Sequence, residues 1–399
     1  MSDPSPIDRL RALIVGDMAL QDELAAITDE PSFVVAATAA ARRARFGIET
    51  DTVERASRSD PLGLSRFDGA PPTAAGWPAR AWLPSAIVAT SAGPAVDWAH
   101  FADLRLTDPF FAETIHTARR RPLNNLLRVR TPLAELGTAM PPGERRMPDA
   151  LIFHMSRCGS TLVSQMLAAA PGNVVVSEAP PFDSILLLAH RHPEIPLDRR
   201  VGLLRAMAAA LGRDRFGDRA RFAIKLDAWH ALALPLLRAA FPDTPWVFLF
   251  RDPVEVMVSH MRAPGAQTVP GAMPPGLYGF DESVPMPLEQ YTARALGAIC
   301  GAAIGHRDLG GAMFVDYASL PNAVEQRILP HFGIAPSDAE RAAMRAATTH
   351  DAKATRNSFT PDSHGKQAEA SDAVRAAADD HLAAIHRQLL ALTGGAPIA

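Results

Sequence analysis

The hydrophobic pattern of the chain changes character near residue 149. Before it, apolar residues recur at helical spacing in short stretches broken by Gly and Pro. After it, short apolar runs of strand length alternate with longer periodic segments. Runs at 150–155, 173–176, 221–225, 245–250 and 312–316 predict buried strands. Periodic segments at 161–169, 181–190, 198–211, 229–240, 253–262, 288–305, 320–330, 337–347 and 371–392 predict helices. This alternation predicts an α/β fold: a parallel sheet of about five strands with helices on both faces. In such sheets ligands bind beyond the carboxyl ends of the strands.

The first 58 residues predict a small helical accessory domain. Ser5 is placed to cap a helix with Pro6 at its first position, and Leu10, Leu13, Ile14, Leu20 and Leu24 supply an apolar side. A second helix is expected over about 31–45, ending at Gly47. A third is expected from near Asp51, with Glu54 completing a capping box. Residues 59–148 read as a connecting region with helices, one starting at Asp108-Pro109 and another at Thr131-Pro132 that ends near Gly137. The stretch 59–95 holds six prolines, and Trp77, Trp82 and Trp98 lie in or beside it. Residues 149–399 form the α/β domain. The whole is therefore a mainly helical N-terminal region ahead of a parallel-sheet domain.

Composition narrows the function. The chain has 399 residues, 48% of them hydrophobic, and a net charge of −3, which argues against broad attraction to nucleic acid or to a membrane surface. Its two cysteines, Cys158 and Cys300, supply no disulfide framework. No apolar run approaches the ~20 residues of a membrane span, and the start Met-Ser-Asp-Pro lacks the pattern of a signal peptide. A cytoplasmic protein is the expectation. His306, His331 and His350 show no ligand spacing, so no metal site is expected. The Arg119–Arg121 cluster with Arg128 and Arg130 reads as a solvated face and turn.

The chemistry concentrates at Ala150–Leu167. A buried strand ends there in the polar turn Ser156-Arg157-Cys158-Gly159-Ser160-Thr161, and an apolar helix follows. Unpaired N–H groups and the positive end of the helix dipole make such a turn an anion site. Arg157 adds a full charge, and Ser160 and Thr161 add hydroxyl donors. Cys158 lacks the Arg six positions on that a phosphatase-like loop needs, since that position is Ser164; it reads as a small filler. A second apolar strand, Trp246–Phe250, runs into Arg251-Asp252-Pro253, and Ser259 lies about two helical turns beyond. Glu178 and His230 each sit just past an apolar run and are candidate general bases, Glu178 first. Lys225 is placed to touch a sulfate or phosphate.

Together these segments resemble the sulfotransferase family that uses 3′-phosphoadenosine-5′-phosphosulfate (PAPS), over about 149–370. The resemblance implies a P-loop-like fold whose strand–loop–helix cradles the 5′-phosphosulfate. It assigns Arg157, Cys158, Gly159, Ser160 and Thr161 to that loop, with Arg157 where many members carry Lys. It implies that Arg251 and Ser259 hold the 3′-phosphate. It places Glu178 where one branch, including sugar-modifying bacterial members, has its catalytic Glu. The stretch His350–Lys366 is similar to the late loop that closes over the nucleotide, which makes Lys353 and Arg356 candidate phosphate ligands, although the usual Arg-Lys-Gly triplet is missing. Residues 1–50 are similar to a leader-type helical domain of ribosomal-peptide precursors associated with nitrogen fixation. The segment Ala263–Pro287, with six prolines and four glycines, reads as a gate lined by Tyr278 and Phe280 that excludes water from the donor.

The expected activity is transfer of a sulfuryl group from PAPS to a hydroxyl or amine of a small-molecule or peptide acceptor. It leaves adenosine 3′,5′-bisphosphate and requires no metal. Two alternatives stand beside it: a nucleotide-dependent kinase on a related fold, against which the missing Gly-x4-Gly-Lys-Ser/Thr pattern weighs, and a non-catalytic nucleotide-binding, partner-recruiting module. The acceptor and the oligomeric state stay open at this point.

Overall fold

The computed structural model describes residues 4–58, 76–144, 146–349, 352–353 and 363–394. The chain divides into two compact units. The first holds residues 1–106, 111–145 and 213–215; the second holds 107–110, 146–212 and 216–399.

The first unit begins with four helices: α1 (Pro6–Gly16), α2 (Met18–Ala25), α3 (Glu30–Arg43) and α4 (Thr50–Ser57). Ser5 caps α1 as expected, its side chain accepting from the Asp8 N–H. The apolar stripe from Leu10 to Leu24 is not one helix, because the Asp17 carboxylate accepts from Leu20 N–H and restarts the chain as α2. The third expected helix starts at Thr50, one residue earlier than anticipated, and its cap residue Glu49 makes no side-chain cap bond.

The connecting region departs further from expectation. It forms β1 (Trp82–Thr90) and β2 (Gly93–His100), followed by α5 (Phe111–Arg119), α6 (Pro122–Leu126) and β3 (Val129–Pro132). The three strands make an antiparallel sheet in the order β1–β2–β3. Thr131-Pro132 thus ends an edge strand, and the short helix expected from there to about Gly137 is reduced to a 3₁₀ turn, Leu133–Glu135. Pairing with β2 wins here, and the Trp98 indole locks it by donating to Thr131 Oγ1 at 2.9 Å. The N-terminal region is therefore mixed helix and sheet. The tryptophans are its core: Trp82 is fully buried and donates to Gln21 Oε1, and the Arg213 guanidinium lies over Trp77 and Trp98. The arginine cluster is largely absorbed in the same unit, Arg121 on Asp103, Arg130 on Asp97 and Arg119 on Ser85.

The second unit holds the parallel sheet. Its strands are β4 (Ala150–His154), β5 (Asn173–Ser177), β6 (Arg221–Lys225), β7 (Trp246–Phe250) and β8 (Ala312–Asp316). They lie in the order β5–β6–β4–β7–β8, every pair parallel. The expected strands differ from these by one residue at most. The helices are α7 (Ser160–Ala169), α8 (Pro180–Arg191), α9 (Leu197–Leu211), α10 (Leu234–Ala240), α11 (Pro253–Arg262), α12 (Leu288–Gly305), the single turn α13 (Leu329–His331), α14 (Asp338–Ala347), α15 (Ser363–Glu369) and α16 (Asp372–Leu392). The segment expected as one helix over 229–240 splits into a 3₁₀ turn, Ala228–Ala233, and α10, where Pro235 restarts it.

Every residue of β4 and β7 is buried, which is why they read as unbroken apolar runs rather than alternating ones. From β4 the chain moves outward to β5, returns to β6 and then crosses to β7. The carboxyl ends of β4 and its neighbours are therefore the switch point at which a doubly wound sheet opens a crevice. Phe153 in β4 is fully buried, with its ring edge-on to Trp246. Phe153→Ala is expected to cost about 3–5 kcal/mol, through a lost aromatic contact and a cavity. Urea denaturation of wild type and variant measures this.

Candidate functional site

The strand ends open into a cavity of about 820 Å³. Its floor is the turn between β4 and α7. Ser156, Arg157 and Gly159 all take left-handed backbone conformations (φ 80°, 52° and 82°). In such a turn the amides converge on one point and meet the N-terminus of α7, so backbone dipoles favour an anion there. Gly159 is obligatory for two reasons: its positive φ, and a Cβ that would lie 2.8 Å from both Tyr317 and Leu320 side chains. Ser156 and Arg157 adopt that geometry without being glycine, at a cost of about 1–3 kcal/mol each, so their surroundings must impose it.

Part of that support is His154. Its Nδ1 accepts the Ser156 N–H at 3.0 Å. Its Nε2–H then donates to the Leu226 carbonyl at 2.9 Å and lies 3.4 Å from Glu178 Oε1. Burial, reinforced by the Lys225 charge, pushes the imidazole pKa down against the pull of Glu178, so the ring is neutral with Nδ1 free to accept.

Glu178 follows β5 directly, with a left-handed backbone (φ 48°). Its N–H donates to the Lys225 carbonyl at 2.8 Å, and its carboxylate is bonded to Lys225 Nζ. Burial disfavours the charged carboxylate, but the Lys225 ammonium and the His154 hydrogen bond outweigh it and hold Glu178 below the usual carboxylate range. Glu178 lines the cavity. Lys225, with no exposed side-chain surface, stands behind it. Phe110 lines the same end, its ring centroid 5.1 Å from Lys225 Nζ and 5.9 Å from Lys353 Nζ. Asp227 lines the cavity too, its pKa raised by burial and then by the Glu178 charge.

Arg251 and Ser259 line the same cavity. The buried Arg251 guanidinium is aimed by Glu255 (2.5 Å), bonds Ser363 Oγ at 3.0 Å, and lies 4.0 Å above the Tyr317 ring. Lys353 and Lys366 also face the cavity, Lys366 only 4% exposed. Lys353 has its pKa lowered to about 8, by burial first and then by repulsion from Arg157 and Lys225. A cavity that holds cations against one another in this way is built for a polyanion.

Of the residues singled out from sequence, Arg157, Cys158, Gly159, Ser160, Thr161, Glu178, Arg251, Ser259 and Lys353 line this one cavity. Arg356 lies outside the described residues. His230 is not among the lining residues: its Nδ1 accepts the Asp227 N–H at 3.1 Å and its Nε2 meets Asp183 Oδ1 at 3.1 Å, so the ring closes the capping box of the 3₁₀ turn. The Cys158 thiol contacts the Leu249 carbonyl, and burial pushes its pKa up to about 12, consistent with a filler. Tyr278 and Phe280 do not line the cavity. They stack on each other and against Tyr291, while Gly265, Ala266 and Gln267 of the same segment do line it. Sequence reasoning missed His154, Asp227, Gln267 and Lys366. His154 and Asp227 each stand at a strand end inside a segment already singled out, and that position was the available signal.

A left-handed turn at a helix N-terminus, at the switch point of a parallel sheet, thus shares one cavity with the carboxylate that follows β5, an arrangement suited to a phosphate- or sulfate-bearing ligand. The sulfotransferase family model matches residues 148–272, spanning the loop, Glu178, Lys225, Arg251 and Ser259. Over that span the chain is similar to the sulfotransferase family, as its two motifs suggested. Among solved structures, sulfotransferase STF9 from Mycobacterium avium shares 13% identity, with a TM-score of 0.33 over 62% of this chain and 78% of that one. Sulfotransferase STF1 from Mycobacterium tuberculosis H37Rv shares 16%, with a TM-score of 0.33 over 65% of this chain and 82% of that one. Comparison with curated proteins finds no match. Among the described residues, no helix is long and apolar enough to cross a membrane, and no cluster of His, Cys, Asp or Glu is arranged to hold a metal.

The depressed lysine makes a measurable prediction. An anion bound beside Lys353 raises its pKa from about 8, so binding near pH 8 takes up protons and weakens as pH rises further. Calorimetry with adenosine 3′,5′-bisphosphate in buffers of different ionisation enthalpy is expected to show net proton uptake at pH 8 and much less at pH 6.

Proposed function

We propose that the protein transfers a sulfuryl group from PAPS to a hydroxyl or amine of an acceptor and releases adenosine 3′,5′-bisphosphate. The observation that carries this reading is the shared cavity: the anion loop and Arg251 face the same space as Glu178. The residues fit the donor's charge. Arg157, Lys353 and the loop amides meet the phosphosulfate; Arg251, Ser259 and Lys366 meet the 3′-phosphate.

Glu178 accepts the acceptor's proton as the acceptor oxygen bonds to sulfur and the bond from sulfur to the bridging phosphate oxygen breaks. A carboxylate held in its charged form is a weak base. In a loose, in-line transfer the proton leaves late, so positioning and fixed charge do most of the work, by analogy with phosphoryl transfer. Arg157 and the amides of the turn lie where negative charge grows on the departing oxygen. Lys225 keeps Glu178 ionised and aimed, and His154 holds both the carboxylate and the loop. His230, with both ring nitrogens engaged, supports the turn that presents Asp227 and is not the base.

Incubation with labelled PAPS and with labelled ATP, using cell extract as acceptor source, is expected to give label transfer from PAPS only; transfer from ATP would favour a kinase. Glu178→Gln is expected to lose at least about 100-fold in turnover while keeping bisphosphate affinity within a few-fold. Arg251→Ala is expected to weaken bisphosphate binding by about 10- to 100-fold, because a charge-assisted contact to phosphate is lost. Unchanged affinity by calorimetry would remove its assignment to the 3′-phosphate.

A further inference from the structure

The segment after α11 meets the strained loop at two points. Arg157 Nη2 donates to the Ala263 carbonyl at 2.6 Å. Gln267 Nε2 donates to Ser156 Oγ at 2.9 Å. Ser156 is therefore gripped from both sides: its N–H by His154 and its hydroxyl by Gln267. Gln267 is itself a cavity-lining residue, mostly buried.

Three bonds hold Gln267 where it is. It belongs to a 3₁₀ turn, Ala266–Thr268. At the end of that turn Thr268 Oγ1 donates to the Gly265 carbonyl at 3.0 Å and lies 3.1 Å from Nδ1 of the fully buried His260. The Tyr278 hydroxyl donates to the Gln267 carbonyl at 2.7 Å. His260 stays uncharged, because burial and then the nearby Arg157 and Lys353 charges press its pKa down to about 3. The anchor is thus a neutral imidazole on α11, the helix that also carries Ser259.

We propose that Gln267 is a positioning residue of the donor site: anchored through Thr268 on His260, it holds Ser156 in the left-handed conformation that aims the loop amides into the cavity. Glycine would adopt that conformation unaided, whereas a serine there needs an external hold. The segment read from sequence as a gate acts on the loop through this amide, and its aromatics Tyr278 and Phe280 brace it from behind. The inference rests on the reading of the cavity as a nucleotide donor site.

The experiment is a double-mutant cycle read by calorimetry with adenosine 3′,5′-bisphosphate. Gln267→Ala and Ser156→Ala are each expected to weaken binding by about 5- to 10-fold, the range for one lost neutral hydrogen bond that orders a loop. Combined, they are expected to lose no more than either alone, because they share one bond. Thr268→Val is expected to weaken binding a few-fold, and Thr268→Ser, which keeps the hydroxyl for His260, to restore it. Thermal melting of each variant checks that it folds. Wild-type affinity in Gln267→Ala, or additive losses in the double variant, overturns the proposal while leaving the donor reading intact. A wild-type protein that does not bind the bisphosphate removes the donor reading itself, and the proposal with it.

Discussion

Parallel pairing places Ser177 opposite Lys225, and most of the site depends on that one register. It sets Glu178, the next residue on β5, beside the last residue of β6, where the carboxylate meets a fully buried ammonium. Neither ion is stable there without the other. A buried lysine with no counter-ion sheds its proton, and a buried carboxylate with none takes one up. The carboxylate is presented in its charged form to the cavity at the mouth of the sheet.

His154 extends this constraint across the centre of the fold. It ends β4, accepts from the loop at Ser156, donates to the carbonyl that follows β6, and lies within reach of Glu178. One neutral ring thereby ties the anion-binding turn to the carboxylate that faces it. Removing it would free two left-handed residues to relax and leave a buried N–H and a buried carbonyl unsatisfied. The second imidazole, His260, does a similar service from the other side through the 3₁₀ turn at Gln267. Both rings stay neutral first because they are buried, and the neighbouring cations, Lys225 at His154 and Arg157 and Lys353 at His260, add to this.

The excess of positive charge is a cost that the free protein carries. Lys353 is pressed toward neutrality, and Arg251 is steadied by Glu255 and by the face of Tyr317. A polyanion seated there would relieve the repulsion.

The five-strand sheet was legible in the amino-acid order. β4 and β7 are buried on both faces and read as uninterrupted apolar runs; the loop residues Arg157–Thr161 and Arg251 follow the ends of those runs, with Ser259 about two helical turns further on in α11. The antiparallel sheet of the first unit was not legible, because its strands carry Pro84 and Pro94 and polar positions, and β2 pairs with β3 across as many as 37 residues, from Ala95 to Pro132. Nor could the order of residues decide between Glu178 and His230 as the group facing the cavity. Both follow an apolar strand. Only the packing shows that His230 turns inward to Asp227 and Asp183 while Glu178 turns toward the open end. Local pattern determines which backbone segments are strands and where the anion turn lies, since both are properties of contiguous residues. Which side chains meet in the cavity depends on strand order and register, set by contacts between residues far apart in the chain.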